Sequence, residues 1–147
     1  MTSSVSTAVE RFKSGCACSQ AVFGTYSPRY GLDENQAMRI AAGFAGGMRM
    51  AGTCGAVSGA LMVLGLAHCT DACRTVEDRK AAYAAVLAFF EKFKERHGSL
   101  VCRELLGCDV STVEGHKMAV DRGLFRSKCV ELVQNAALIL EDMLPSS

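Results

Sequence analysis

Eight cysteines give this 147-residue chain its clearest capacity for chemistry. A cysteine thiolate can attack disulfides, bind metal ions and ligate iron–sulfur clusters. Eight is more than ordinary usage but fewer than in small disulfide-stabilised scaffolds, and a chain of this length can bury a hydrophobic core without disulfides. The cysteines therefore indicate metal ligands or redox thiols, with some acting only as small buried side chains.

Cys54 stands at the start of the apolar segment "CGAVSGALMVLGLA", after the glycine-rich segment "GFAGGMRMAG". The free N–H groups and the dipole at a helix amino terminus stabilise an anion, so we expect a lowered pKa for the Cys54 thiol. Gly52 and Gly55 would let a sulfur atom, a metal or a substrate approach the backbone closely. The spacing of Gly55 and Gly59 alternatively fits two helices packed tightly together, with no chemical role.

Further cysteines fall where helices are expected to begin. Cys102 and Cys129 lie in the first turns of two predicted helices, so with Cys54 they place three cysteines at amino termini that could converge on one pocket. Cys16 and Cys18 would point to nearly opposite faces of the first helix, so that only one of them meets Cys54.

The remaining candidates are weaker. His68, Cys69 and Cys73 in "HCTDAC" could share a metal, but zinc-ribbon spacing is missing and a surface segment is favoured. We expect His97 to be a solvated base at a helix carboxyl end, and His116 has no visible partner. There is no Ser-His-Asp pattern, phosphate-binding loop or dinucleotide fingerprint, and the carboxylates lie on expected exposed faces.

The elements that must position these side chains are helices. Apolar residues recur at helical spacing, and the only prolines are Pro28 and Pro145. We predict an all-α fold with one domain over 1–147, a helical bundle of about six helices. The expected helices cover about 7–26, a segment capped by Asp33 that ends near 46, 54–68, a long helix between Thr75 and Gly98, short helices capped by Ser99 and Ser111, and 127–144.

Composition excludes several classes of function. The formal net charge is +1, Lys and Arg are scattered, Trp is absent and aromatics make up 7%, so nucleic acid is not an expected partner. The longest nearly uncharged run, 54–67, is shorter than the roughly 20 residues that span a bilayer, so we expect no membrane span. The amino terminus has no signal-peptide pattern, which predicts a cytoplasmic location.

Several segments together resemble the C_GCAxxG_C_C family of redox-active proteins, from about Gly15 to Leu144. The most specific is "CGAVSGALMVLGL", which carries the CGAxxG motif as Cys54, Gly55, Ala56 and Gly59. The others are "CSQAV" at 18–22, "GLDENQAMRIAAGFAGGM" at 31–48, "CRELLG" at 102–107 and "LFRSKCVELVQNAA" at 124–137.

The resemblance implies a site of four cysteines: Cys18, Cys54, Cys102 and Cys129. Similar domains are associated with an iron–sulfur cluster, so these four are the expected ligands for electron transfer or sensing, with Cys108 as the alternate. We expect Gly52, Gly55 and Gly59 to flank the cofactor. Cys16, Cys69, Cys73 and Cys108 lie outside the four-cysteine pattern, and their roles stay open.

Two other functions fit the same residues. One is a metal-free thiol–disulfide protein, with Cys54 as the thiolate and Cys18 or Cys102 as its resolving partner. The other is a non-catalytic helical binding module whose cysteines only fill the core. A structural zinc site is a variant of the first hypothesis. The expected partner is a redox protein, and self-association into a homo-oligomer stays open.

Overall fold

The computed structural model describes residues 3–145 and arranges them as eight α-helices. Their bounds are α1 Ser4–Lys13, α2 Cys18–Tyr26, α3 Glu34–Ala41, α4 Gly55–His68, α5 Val76–His97, α6 Cys102–Leu106, α7 Val113–Asp121 and α8 Lys128–Met143. Three short helical segments cover Ser27–Tyr30, Ala42–Phe44 and Gly47–Ala51. The all-α prediction is confirmed, but about six helices was an underestimate.

The predicted first helix is in fact two helices. Gly15 has a φ of 116° and ends α1; the Ser14 N–H donates to the Glu10 carbonyl and the Gly15 N–H donates to the Phe12 carbonyl. Ala17 is extended, and the chain re-enters a helix at Cys18. Glycine is the residue that most readily takes positive φ after a helix end, so the break follows from Ser14-Gly15.

The helix caps agree with the sequence at some ends and differ at others. Asp33 and Thr75 accept N–H groups of the first turns of α3 and α5, and Gly98 takes positive φ after α5, as predicted. The other two predicted caps were wrong. Helix α6 has Val101 as its N-cap rather than Ser99, and α7 is capped by Thr112 rather than Ser111. The N–H and the hydroxyl of Ser111 both donate to the Asp109 carboxylate, so Thr112, the next residue, caps α7 instead.

Helix α4 lies at the centre of the larger hydrophobic core. It packs against α2, α5 and α8, and Val57, Val63 and Leu64 are fully buried. Phe89 and Phe93 of α5 are also fully buried, and each such side chain contributes about 1.5–3 kcal/mol to stability. The segment 54–67 is therefore the buried core helix that its composition predicts.

A second, smaller hydrophobic cluster lies beside this core. Its buried members are Ala51, Cys102, Leu106, Val110 and Ala119, and Cys108, Leu124, Phe125 and Cys129 pack against it. Cys54 belongs to the larger core, and Cys18 packs against that core. Cys18 and Cys54 on one side, and Cys102 and Cys129 on the other, thus lie where the two clusters meet.

The structure also bears on membrane association. Within residues 3–145, no helix combines the length and the apolar content needed to cross a bilayer.

Candidate functional site

A cavity of about 700 Å³ lies between the two hydrophobic clusters, and five cysteines line it: Cys16 and the four predicted ligands Cys18, Cys54, Cys102 and Cys129. Each of the four predicted ligands stands at a helix amino terminus. Cys18 and Cys102 are the first residues of α2 and α6, Cys54 is the N-cap of α4, and Cys129 is the second residue of α8. The sequence indicated three of these positions. The break before α2 adds the fourth.

Cys54 and Cys102 are held side by side by main-chain pairing. Thr53 and Val101 form an isolated antiparallel β-bridge. The Cys54 N–H donates to the Leu100 carbonyl at 2.8 Å, and the Cys102 N–H donates to the Gly52 carbonyl at 2.6 Å. The bridge therefore fixes the starts of α4 and α6 next to each other, although they are about 50 residues apart in sequence.

Cys18 reaches the same place because Gly55 has no side chain. A Cβ at Gly55 would overlap Cys18 Sγ and would lie 3.1 Å from the Phe44 carbonyl oxygen. The sulfur approach expected at Gly55 is therefore present, and the sulfur is that of Cys18. Gly55 also lines the cavity.

The two other candidate glycines have packing roles. A Cβ at Gly59 would lie 2.8 Å from the Ser19 carbonyl oxygen, so Gly59 lets α2 and α4 pack closely. A Cβ at Gly52 would lie 3.2 Å from the Gly47 carbonyl oxygen, which accepts the Gly52 N–H. Both glycines allow close backbone packing next to the site, and neither is among the residues that line the cavity.

A left-handed loop forms one side of the cavity. Gly46, Gly47, Met48 and Arg49 have φ of 64°, 66°, 60° and 63°. Such a conformation costs a non-glycine residue about 1–2 kcal/mol, so Met48 and Arg49 are held there against a local preference. A Cβ at Gly47 would lie 2.9 Å from the Cβ of Cys102, so the loop is pressed against that cysteine.

Burial raises the pKa of all four thiols. It raises the pKa of Cys102 to about 11 and that of Cys129 to about 12, and it shifts the pKa values of Cys18 and Cys54 in the same direction. The lowered pKa predicted for Cys54 is therefore wrong. The N–H groups of Ala56 and Val57 do lower the pKa of Cys54, as expected at a helix amino terminus. Desolvation raises this pKa by more, and the charge of Cys18 raises it further.

Cys18 is the common neighbour of the other three cysteines. After burial, the negative charge of Cys18 is the next cause that raises the pKa of Cys54, Cys102 and Cys129. Burial also raises the pKa of Cys18 itself, while the N–H groups of Gly46 and Gly55 favour its thiolate. The sulfur atoms of Cys54, Cys102 and Cys129, at the starts of three further helices, are thus within electrostatic reach of Cys18.

The other cysteines divide into two sets. Cys16 precedes α2 and Cys18 is its first residue, so the two cysteines do not share a continuous helix. Both line the cavity. The expectation that they diverge on one helix was wrong. Cys108 packs beside Cys102 and Cys129 and is not among the lining residues. Cys69 and Cys73 lie beyond the other end of α4, where Cys73 Sγ donates to the Asp78 carbonyl at 3.1 Å.

The prediction that His97 is a solvated base was wrong. The side chain of His97 is only 2% exposed, not solvated, and its ring packs on Phe93 with centroids 4.7 Å apart. Neither ring nitrogen has a hydrogen-bond partner among the described residues, and burial lowers the pKa of His97. The end of α5 packs against α8, which sequence periodicity alone does not reveal.

The ring of His116 lies at the cavity against Phe125, at 5.4 Å between centroids.

No disulfide joins any of the eight cysteines, which all lie within residues 3–145, and their spacing does not match a single bound ion. All eight cysteines are free. Among residues 3–145, no three His, Cys, Asp or Glu side chains are grouped closely enough to hold one metal ion.

The fold and the site together define an all-helical protein in which four cysteines at helix starts line one cavity. A family model described as "Putative redox-active protein (C_GCAxxG_C_C)" matches residues 16–143, and the chain belongs to this family. No curated protein and no solved structure matches the chain. Membership thus assigns the chain to a family described as redox-active, and the description names no cofactor.

Proposed function

We propose that this chain is a redox protein that holds an iron–sulfur cluster on Cys18, Cys54, Cys102 and Cys129. The observation that carries the proposal is that four free thiols, on four helix amino termini, line one cavity. Four cysteine thiolates are the usual ligands of [2Fe–2S] and [4Fe–4S] clusters. A cluster spreads its ligands over several iron atoms, so they need not converge as closely as around a single ion. Cys108, beside Cys102 and Cys129, is the alternate ligand.

The electrostatics of the site support a cationic occupant. Burial raises the pKa of each thiol, so the metal-free site favours neutral thiols over the thiolate that a nucleophile requires. Iron ions would replace the four protons and offset the repulsion among the four sulfur atoms. The amino-terminal N–H groups of the four helices favour the remaining negative charge.

A bound cluster would supply one-electron transfer, and the surrounding residues would set its environment. Gly55 admits the Cys18 sulfur against the start of α4, and the N–H groups of Gly46 and Gly55 favour negative charge on that sulfur. Leu106 and Leu132 are among the apolar side chains that line the cavity. A cysteine-rich chain that buries a hydrophobic core of its own suits a reducing compartment, and we propose that the protein lies in the cytoplasm.

The test is anaerobic reconstitution of the full chain with ferrous iron and sulfide. We expect bound iron and sulfide after desalting, together with visible absorption that bleaches on reduction. A colourless chain without iron after this treatment contradicts the proposal.

A metal-free thiol–disulfide protein is the second candidate, because Cys18 Sγ lies against Gly55, the residue after Cys54, and both thiols line the cavity. Cys18 and Cys54 would lose two protons and two electrons to a disulfide of a redox partner, which would be reduced to two thiols. Mass mapping of the iron-free chain after mild oxidation tests this function. A Cys18–Cys54 or Cys54–Cys102 disulfide supports it, and free thiols at all three positions exclude it.

A further inference from the structure

We propose that the mouth of the cysteine cavity binds a small organic anion with an apolar body. Four basic side chains line this cavity: Lys13, Arg49, His116 and Arg126. No aspartate or glutamate is among the lining residues. The whole chain is nearly neutral, with 16 Lys and Arg against 15 Asp and Glu, so this grouping is local rather than a result of general basicity.

The basic side chains at the mouth are not used in ion pairs. Within residues 3–145, Lys13, Arg49 and Arg126 form no salt bridge, whereas Arg11 and Arg29 are paired with carboxylates. Three exposed cations that converge on a cavity without a counter-ion create a local positive potential. An anionic ligand would supply the missing charge.

The carboxylate of Asp109, near Cys102, does not neutralise the mouth. It accepts hydrogen bonds from the N–H and the hydroxyl of Ser111 and does not line the cavity. Its charge is felt at Cys102, where it contributes to the raised pKa of the thiol. The charge of Asp109 therefore acts on Cys102, and the four basic side chains have no carboxylate beside them among the lining residues.

Arg49 is the side chain that most directly suggests a role in binding. Its φ of 63° would be easier for glycine, yet the chain places a long cation there. Its Nη1 lies 3.0 Å from where a Cβ of Gly46 would stand, so the guanidinium lies across Gly46. Arg49 and Cys18 both line the cavity, so this cation lies at the same cavity as the four cysteines.

The same basic region continues into a second cavity of about 500 Å³. Arg49, Val110 and His116 line both cavities, and Lys117 lines only the second. The larger cavity is otherwise mostly apolar, with lining side chains that include Phe12, Leu106, Val110, Phe125, Val130 and Leu132. A carboxylate, phosphate or sulfonate attached to an apolar body matches this combination of cationic mouth and apolar walls.

The role of such a ligand rests on the proposed function, because the anion would lie next to the redox centre. The binding site itself does not require a cluster. The test is therefore equilibrium binding to the full chain as purified, with two fluorescent probes of nearly identical apolar body. These are the anion 8-anilinonaphthalene-1-sulfonate and the neutral N-phenyl-1-naphthylamine.

We expect the wild-type chain to bind the sulfonate more tightly than the neutral probe, with a preference that falls as salt is raised. Arg49→Gln and Arg126→Gln should each lower the ratio of the two affinities about threefold, and their combination about tenfold. Arg49→Lys keeps both the charge and the positive φ, and should retain the preference. Arg39→Gln is the matched control, since Arg39 is exposed and lines neither cavity.

Two results would overturn the inference. One is a wild-type chain without preference for the sulfonate, and the other is an affinity ratio that Arg49→Gln and Arg126→Gln leave unchanged. Iron content is measured on portions of the same samples after anaerobic reconstitution with ferrous iron and sulfide. A chain that binds no iron but discriminates between the probes contradicts the cluster alone, and the reverse result contradicts the anion site alone.

Discussion

The thiol of Cys54 is subject to two opposing influences. The N–H groups of Ala56 and Val57 stabilise its thiolate, while burial and the nearby charge of Cys18 stabilise its neutral form. Burial prevails, since removing a charge from water outweighs a few main-chain dipoles. The helix start is therefore better understood as part of a ligand set than as the activator of one nucleophile.

The iron-free protein should accordingly contain slowly reacting thiols. With pKa values raised from about 9 to about 11 for Cys102 and about 12 for Cys129, little thiolate is present at pH 8. We expect iodoacetamide to modify both at least about tenfold more slowly than free cysteine. The rate at Cys102 should keep rising to about pH 11, whereas free cysteine levels off earlier. Mass mapping that finds both thiols fully modified at the rate of free cysteine contradicts this.

The same shifts make the iron-free fold sensitive to alkali. The unfolded thiols ionise near pH 9 and the folded ones only near pH 11 to 12, so the folded state retains protons that the unfolded state loses. The stabilisation is complete below pH 9 and is lost as pH rises through the folded values. Urea titrations should show a free energy of unfolding that declines between these limits, and less steeply in Cys129→Ser.

Gly55→Ala tests the close approach of Cys18 to α4. The new Cβ would overlap Cys18 Sγ, so we expect a loss of about 1–3 kcal/mol in the free energy of unfolding. Gly65→Ala is the matched control in the same helix, because a Cβ there meets nothing within 4 Å. That variant should gain about 0.5–1 kcal/mol from reduced backbone freedom. Equal effects of the two variants in denaturant unfolding would exclude a special role for Gly55.

At the scale of elements, the site depends on how short segments begin and turn. The bridge between Thr53 and Val101 joins the starts of α4 and α6, and the left-handed loop from Gly46 to Arg49 presses on Cys102. Neither feature is a regular helix or strand. Each fixes the direction from which a cysteine enters the cavity.

The left-handed loop predicts opposite effects of glycine at two neighbouring methionines. Met48 has positive φ, and Met50, with a φ of −130°, does not. We expect Met48→Gly to be about 0.5–1 kcal/mol more stable than Met48→Ala, because glycine takes this conformation without strain. Met50→Gly should be less stable than Met50→Ala by a similar amount. Thermal and urea unfolding of the four variants measure this, and the same sign at both positions contradicts the loop conformation.

The sequence reveals helices more readily than it reveals what holds them at the site. Thr75 and Gly98 bound α5 as local capping rules predict, and the helix after Cys54 has the expected extent. The start at Cys18 was missed because apolar periodicity runs through the break at Ser14-Gly15. The bridge at Thr53 was missed because it joins residues that are distant in sequence and involves only one pair.

For the whole molecule, the relevant feature is the junction between a large and a small hydrophobic cluster. Cys54 lies in the first and Cys102 in the second, so the site forms only when both clusters are packed. The sequence could identify the four cysteines by resemblance to a family pattern. Their shared cavity, and the burial that raises their pKa values, depend on the assembled molecule and not on local spacing.

His97 makes the stability of the assembled molecule depend on acid. Its buried ring packs on Phe93 and is faced by Lys128, Glu131 and Arg96, and its pKa is lowered mainly by burial. Below about pH 6.5 the imidazole is protonated in the unfolded chain but stays neutral in the folded chain. The free energy of unfolding therefore decreases as the pH is lowered.

We expect His97→Phe, which retains the aromatic contact, to flatten the decline in unfolding free energy between pH 7 and 5. His116→Phe, at an exposed ring, is the comparison variant. Urea titrations at several pH values measure both. A decline that His97→Phe leaves as steep as in the wild type contradicts a buried neutral His97.

The measurement that tests the central claim most directly is iron bound per chain after anaerobic reconstitution, in single serine variants. We predict that Cys18→Ser, Cys54→Ser, Cys102→Ser and Cys129→Ser each bind less than about half of the wild-type iron, because each removes one of four ligands. Cys73→Ser, far from the cavity, should bind the wild-type amount. Undiminished iron in the four cavity variants, or an equal loss in Cys73→Ser, would contradict a cluster held by these four cysteines.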